Sequence, residues 1–123
     1  MLTLGQTTTV TRAFSPEDLR GFAAIVGLHS AAFTALPEPL LAALFSYILG
    51  VKLPGRGTNY LKQDMQFLKP VPLTETVTAT LEITKLRPEK HLCDLATTLT
   101  DAAGEILVTG RALVYIKDVE GAL

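Results

Sequence analysis

The chain has 123 residues, a length that suits one domain with room for a substantial core. Its 11 basic and 12 acidic residues leave a net charge of -1, which argues against a nucleic-acid footprint. The single cysteine, Cys93, excludes an internal disulfide framework and a multi-cysteine zinc site.

Met1 to Val10 has neither the basic start nor the sustained apolar run of a signal peptide, so a cytoplasmic setting is expected. No internal repeat, low-complexity tract or linker divides the chain. Thr7 to Phe14 is rich in β-branched residues and alternates, which predicts a strand. Ser15-Pro16-Glu17-Asp18 then reads as a helix start, with a serine N-cap, proline at the first position and an acidic first turn. Leu19, Phe22, Ala23, Ile25 and Val26 are expected to form its apolar face, and Gly27 to end it. Residues 28–36 carry no charge and no strong turn signal, and pattern alone does not type them.

The chain is organised around Pro37 to Gly50, which reads as a helix that is apolar nearly all the way round and therefore buried on every side. Pro37 and Pro39 fall where a first turn tolerates them, and Gly50 is expected to stop the helix in a left-handed conformation. About eleven residues span roughly 17 Å, too short for a bilayer, so this is a core helix rather than a membrane span. The loop Val51 to Thr58 follows by its Pro-Gly and Gly-x-Gly content.

Four strands are expected after it. Asn59 to Pro70 places Leu61, Gln63, Met65 and Phe67 on one side; Thr74 to Leu86 turns Val77, Ala79, Leu81 and Ile83 inward. His91 to Thr100 is joined by the turn Asp101-Ala102-Ala103-Gly104 to a long interior strand from Glu105 to Lys117, with Ile106, Val108, Ala112, Val114 and Ile116 on one face. Short connections favour an antiparallel sheet, and one such sheet curled around one apolar helix is an α+β hot-dog fold, here a single domain over residues 1–123.

Several segments then resemble a known family in order and spacing. Leu44-Phe45-Ser46-Tyr47-Ile48-Leu49-Gly50 leads into Leu53-Pro54-Gly55-Arg56-Gly57-Thr58, followed by Tyr60-Leu61-Lys62-Gln63 and Phe67-Leu68-Lys69-Pro70-Val71. These resemble the MaoC-like dehydratases, most closely the single-domain (R)-specific enoyl-CoA hydratases, over about Phe14 to Ile116. The resemblance implies a homodimer whose two sheets join, and an acyl-CoA or acyl-carrier-protein thioester whose chain lies beside the core helix. It implies no organic cofactor and no metal. It also assigns Lys52, Gly55, Arg56, Gly57, Tyr60, Gln63 and Leu44 to substrate binding, with Lys62 and Lys69 adding positive charge around the glycine loop, where cationic groups would pair with phosphates.

The family's hydration chemistry rests on a Gly-Asp-x-Asn-Pro-x-His motif whose acid and imidazole handle the proton. Aligned on Gly27, this chain has Leu28 at the aspartate position and Phe33 at the histidine position, and neither can transfer a proton. The family's His-Gly pair at the start of the core helix, where a backbone amide meets the thioester oxyanion, is replaced by Pro37-Glu38-Pro39 after a segment shorter by about three helical turns. The resemblance therefore implies a binding protein without normal hydratase activity, possessing no catalytic residue at the family positions. Such a chain would serve as a non-catalytic or chain-binding subunit, beside its own copy or a catalytic paralogue.

Three residues are weak candidates for a different chemistry. His29 is either a displaced base or an ordinary loop histidine. Glu38 is either a thioesterase-type carboxylate or a partner for the helix dipole. Asp64 is either part of an acyl-CoA thioesterase or atypical hydratase site, or a solvated strand residue. His91 is read as an exposed edge residue and Cys93 as a small apolar strand residue. A purely structural homo-oligomer, with Leu28 and Phe33 filling the cavity, is the remaining alternative.

Overall fold

The computed structural model describes residues 1–123. Its elements run β1 (Thr7–Ala13), α1 (Pro16–Val26), α2 (Glu38–Val51), β2 (Asn59–Phe67), β3 (Thr76–Arg87), β4 (Leu92–Thr100) and β5 (Ile106–Tyr115). The strands form one antiparallel sheet in the order β1-β3-β4-β5-β2, which leaves β1 and β2 as its two edges. The sheet curves around α2, giving the hot-dog fold.

Helix α1 begins as its sequence dictates. Ser15 and Asp18 form a capping box: the Asp18 amide donates to Ser15 Oγ at 3.1 Å and the Ser15 amide donates to Asp18 Oδ2 at 2.8 Å. The backbone bond and the Arg12 guanidinium hold the Asp18 carboxyl below its ordinary range. Gly27 closes the helix with φ 77°, and the Leu28 amide reaches back to the Ala23 carbonyl at 2.8 Å. The expected apolar face is narrower than its residues suggest. Leu19 and Ala23 are buried and Phe22 is half-buried, while Ile25 is 84% exposed and Val26 is also exposed. Ile25 falls six residues after Leu19, about 600° round the helix, on the solvent side.

Helix α2 is the core element, but it is not buried all round. Leu41, Leu44, Phe45, Ile48 and Leu49 form a single inward stripe, and Ala43, Ser46, Tyr47 and Val51 face out. Each of those five inward side chains contributes roughly 1.5–3 kcal/mol through burial, before ordering is charged against it. Gly50 does not stop the helix. It stays helical, the helix runs on to Val51, and the left-handed glycines are Gly55 (φ 104°) and Gly57 (φ 101°) in the following loop. Residues 30–32, untyped by pattern, form one 3-10 turn.

Across the sheet, Val77, Ala79, Leu81 and Ile83 of β3 all point into the core, as their alternation demands. Two expected faces are broken by bulges. The register between β2 and β5 slips between Tyr60 and Lys62, which turns Leu61 out to solvent and separates it from Gln63 and Met65. A second slip, between Leu99 and Thr100, leaves Ile106 exposed and buries Leu107 in the core. The connecting turn has the expected form: Gly104 takes φ 85°, and its amide donates to the Asp101 carbonyl at 3.0 Å. No helix is long and apolar enough to cross a membrane.

Candidate functional site

Several of the sequence-selected residues fall into two groups, one at each end of α2. At the N-terminal end, Glu38 is exposed on the rim of a cleft of about 310 Å³ lined by Ala35, Leu36, Phe67, Leu68, Pro70 and Val71. Lys69 also lines this cleft, and its ammonium is ion-paired with Glu105, which pushes its pKa up. Lys69 therefore does not belong to the glycine loop. The nine residues of β2 separate the two, a span of roughly 30 Å at strand rise.

The start of α2 is poor in amide donors. Pro37 and Pro39 have none, and the Leu40 and Leu41 amides both donate to the Pro37 carbonyl, at 3.1 and 3.3 Å. An oxyanion at this helix terminus would meet the Glu38 amide together with the Glu38 carboxylate. Stabilisation of the kind a helix N-terminus usually offers is thus mostly withdrawn.

Leu28 is 55% exposed just beyond the C-cap of α1, and Phe33 is half-buried with its ring packed on Phe22 at 5.8 Å between centroids. His29 lies on the surface, where its Nδ1 accepts from the Ala31 amide at 3.3 Å and caps the 3-10 turn. Asp64 is exposed on β2, in register with Arg111 of β5. No surface cleft is lined by two of His29, Glu38 and Asp64, so the structure does not bring these three together. No three His, Cys, Asp or Glu side chains stand close enough to hold a metal ion.

At the C-terminal end of α2, Lys52 and Arg56 are exposed and Gly55 is buried between them. The loop is tied to the helix: the Gly55 amide donates to the Leu49 carbonyl at 3.0 Å, and the Thr58 hydroxyl donates to the Gly55 carbonyl at 2.6 Å. Tyr60 and Gln63 follow on β2, with the Tyr60 hydroxyl bonded to Gln63 Oε1. Partial burial pushes the Tyr60 phenol up to about 12, so it remains a hydrogen-bond donor at neutral pH. Lys62 stands beside this pair on the surface. Leu44 is buried in the middle of α2, where it lines a groove of about 210 Å³ with Arg12, Phe14, Leu40, Ala43 and Tyr47.

Sequence reasoning missed the polar groups that the sheet itself assembles. Asp94, 3% exposed, takes Arg87 on Oδ2 at 3.0 Å and Arg111 on Oδ1. Thr97 is buried beneath Gln63. Gly110, in the interior of β5, was the available signal, because a glycine there often marks a close approach of another group.

A curved antiparallel sheet around one helix, with an apolar groove along that helix and a basic glycine loop at its end, defines a hot-dog domain. The comparisons make the class specific. No model of a protein family matches the chain. The (R)-specific enoyl-CoA hydratase of Aeromonas caviae is 38% identical over 128 residues, covering 94% of this chain and 96% of the relative. The 3-hydroxybutyryl-CoA dehydratase of Methylorubrum extorquens is 31% identical, covering 98% of this chain and 85% of the relative. A solved (R)-hydratase from A. caviae, described as involved in PHA biosynthesis, superposes with a TM-score of 0.83 at 34% identity, over 92% of this chain and 96% of that one. The chain belongs to the MaoC-like (R)-specific enoyl-CoA hydratase family. The alignment with the first relative is longer than the whole 123-residue chain, so this chain carries gaps against it.

Proposed function

We propose that this chain binds an acyl thioester, on CoA or an acyl carrier protein, without hydrating it, and serves as a chain-binding subunit beside its own copy or a catalytic paralogue. The observation that carries this reading is the apolar pair at the positions of the family's acid and base. Leu28 is solvent-facing and Phe33 is packed on Phe22, so neither side chain supplies a proton. The amide-poor start of α2 supports it further, and so does the separation of Glu38, His29 and Asp64. Two copies would join their sheets through an edge strand, β1 or β2, whose outer backbone groups have no strand partner within the chain. Lys52 and Arg56 would take the nucleotide phosphates, and Leu44 with its groove would border the acyl chain.

Purified protein should bind dodecanoyl-CoA while failing to hydrate crotonyl-CoA. Measurable crotonyl-CoA turnover would contradict the non-catalytic reading. One observation favours a second reading: Glu38 is a carboxylate on the rim of a mainly apolar cleft. If the protein instead cleaves acyl-CoA to free acid and CoA, and Glu38→Ala abolishes the cleavage, the thioesterase reading replaces the first.

A further inference from the structure

The glycine loop after α2 is held from two directions. From the helix side, Gly55 is tied to Leu49, and the Leu53 amide donates to the Ile48 carbonyl at 2.9 Å. From the other side, Gly57 is pressed against the C-terminal turn. A Cβ placed on Gly57 would lie 2.2 Å from the Asp118 carbonyl oxygen and 3.0 Å from the Val119 nitrogen. Its φ of 101° is also one that side-chain-bearing residues rarely adopt.

The turn that Gly57 meets is itself anchored. The Val119 amide donates to the Ile116 carbonyl at 3.1 Å, and the Ala122 amide to the Val119 carbonyl at 3.3 Å. The Leu2 amide then donates to the Ala122 carbonyl at 2.9 Å, clasping the two ends of the chain, and Ala122 is buried in the core. Arg56, exposed between the two glycines, thus sits on a short bridge. One foot of the bridge stands on α2 and the other on the last residues of the chain.

We infer that the C-terminal turn, residues 118–123, is a buttress that positions Arg56 to grip the phosphate end of a CoA thioester, with Gly57 as its point of contact. This inference rests on the reading of Lys52 and Arg56 as phosphate-binding groups. Asp118 acts through its backbone, and Gly57 acts by the absence of a side chain, so both are positioning residues. A guanidinium held in place loses less freedom on binding a phosphate than one on a loose loop, and so binds it more tightly.

The test compares dodecanoyl-CoA with dodecanoyl-pantetheine, which carries the same acyl chain and thioester without the nucleotide phosphates. Calorimetric titration of wild type, Gly57→Ala, Arg56→Ala and the pair combined reads the affinity for each. Wild type should prefer the CoA form. Gly57→Ala should lose about tenfold on the CoA form, close to 1.4 kcal/mol, with pantetheine binding unchanged. Arg56→Ala alone should lose about as much on the CoA form, and should cost little more when added to Gly57→Ala.

In wild type, dodecanoyl-CoA should also slow amide exchange at Val119 and Ala122, a readout that needs no variant to fold. A wild-type preference for CoA that survives in Gly57→Ala, or equal losses for both probes, overturns the buttress while leaving the phosphate reading intact. No wild-type preference for CoA overturns both. Unchanged exchange at Val119 and Ala122 on ligand addition overturns the buttress alone.

Discussion

The side-chain amide of Gln63, on β2, crosses the interior strand β5 and donates to the Thr97 hydroxyl on β4 at 3.0 Å. It can do so because Gly110 lies beneath it. A Cβ there would stand 2.9 Å from Thr97 Oγ1, 3.1 Å from Gln63 Nε2 and 2.2 Å from the Asp64 carbonyl oxygen. The same amide also donates to that carbonyl at 2.7 Å, and its oxygen accepts from Tyr60. The resemblance assigns Tyr60 and Gln63 to substrate binding. In this structure both amide donors of Gln63 are engaged within the protein, and its oxygen holds Tyr60.

Gly110→Ala should therefore destabilise the domain by about 2 kcal/mol, the usual scale for forcing atoms into a filled site. Thr97→Val keeps the shape and removes one acceptor, and should lose about 1 kcal/mol. Urea unfolding followed by far-UV circular dichroism reads both. In the double variant Thr97→Val/Gln63→Leu the two losses should be less than additive, because the second change removes the donor that the first leaves without a partner.

Asp94 offers a second expectation. It is a nearly buried carboxylate serving two guanidinium groups that are themselves partly exposed, and the Arg87 Nε beside it is buried without a partner. Asp94→Asn leaves two cations facing each other across the outer face of the sheet. Removing one member of a buried pair costs about 3–5 kcal/mol, and the part-exposed arginines reduce that to about 2 kcal/mol. The urea midpoint should fall with its slope unchanged. Arg111→Met, which removes the more exposed of the two arginines, should be milder than Asp94→Asn.

Tyr60 and Cys93 set the alkaline limit. Burial raises the Tyr60 phenol from its ordinary 10.0 to about 12 and the Cys93 thiol from 9.0 to about 12, with the Asp94 charge adding to the second. In both cases the folded state holds the proton more tightly than the unfolded chain. Their stabilisation is complete below the unfolded values and is lost as pH rises toward the folded ones. Stability should begin to fall above pH 9.0 through Cys93, and fall further above 10.0 through Tyr60. Tyr60→Phe should flatten only the second part, by about 1 kcal/mol once solvent screening of the part-exposed ring is allowed for. Thermal melts between pH 8 and 11, roughly, give the comparison.

What the sequence disclosed depends on which physical signal each feature carries. The alternation of Val77, Ala79, Leu81 and Ile83 is a period-2 signal with no competitor, and its reading holds. Leu61 and Ile106 lie off their expected faces because a bulge shifts the alternation by one residue without leaving a local mark. Helix α2 reads as apolar all round, yet only one stripe is covered by its own chain; composition reports what a surface prefers and not what is there to cover it. At the site, Lys69 is close in sequence to the glycine loop and belongs to the far end of the strand between them. The Asp94 pair and the Gln63–Thr97 bond lie between residues 7 to 34 positions apart, joined by sheet register, and of these only Gly110, beneath the second, leaves a local mark.

The sharpest expectation concerns Leu28 and Phe33, the positions where the resemblance would place an acid and a base. If the proposed lack of hydration rested on only two side chains, Leu28→Asp/Phe33→His would supply it. The geometry points the other way. Leu28 is turned to solvent, so an aspartate there would stay hydrated, and a histidine at 33 would give up the ring contact with Phe22, worth about 0.5–1.5 kcal/mol. Even a well-placed pair would act on a thioester whose oxygen meets prolines and a carboxylate at the start of α2 rather than free amides. The double variant should therefore remain inactive on crotonyl-CoA, and its melting temperature should fall slightly. Adding Pro37→His/Glu38→Gly restores the His-Gly pair and removes the carboxylate, and only that combination should produce a first trace of activity. Strong hydration by the double variant alone would show that the start of α2 is not an obstacle.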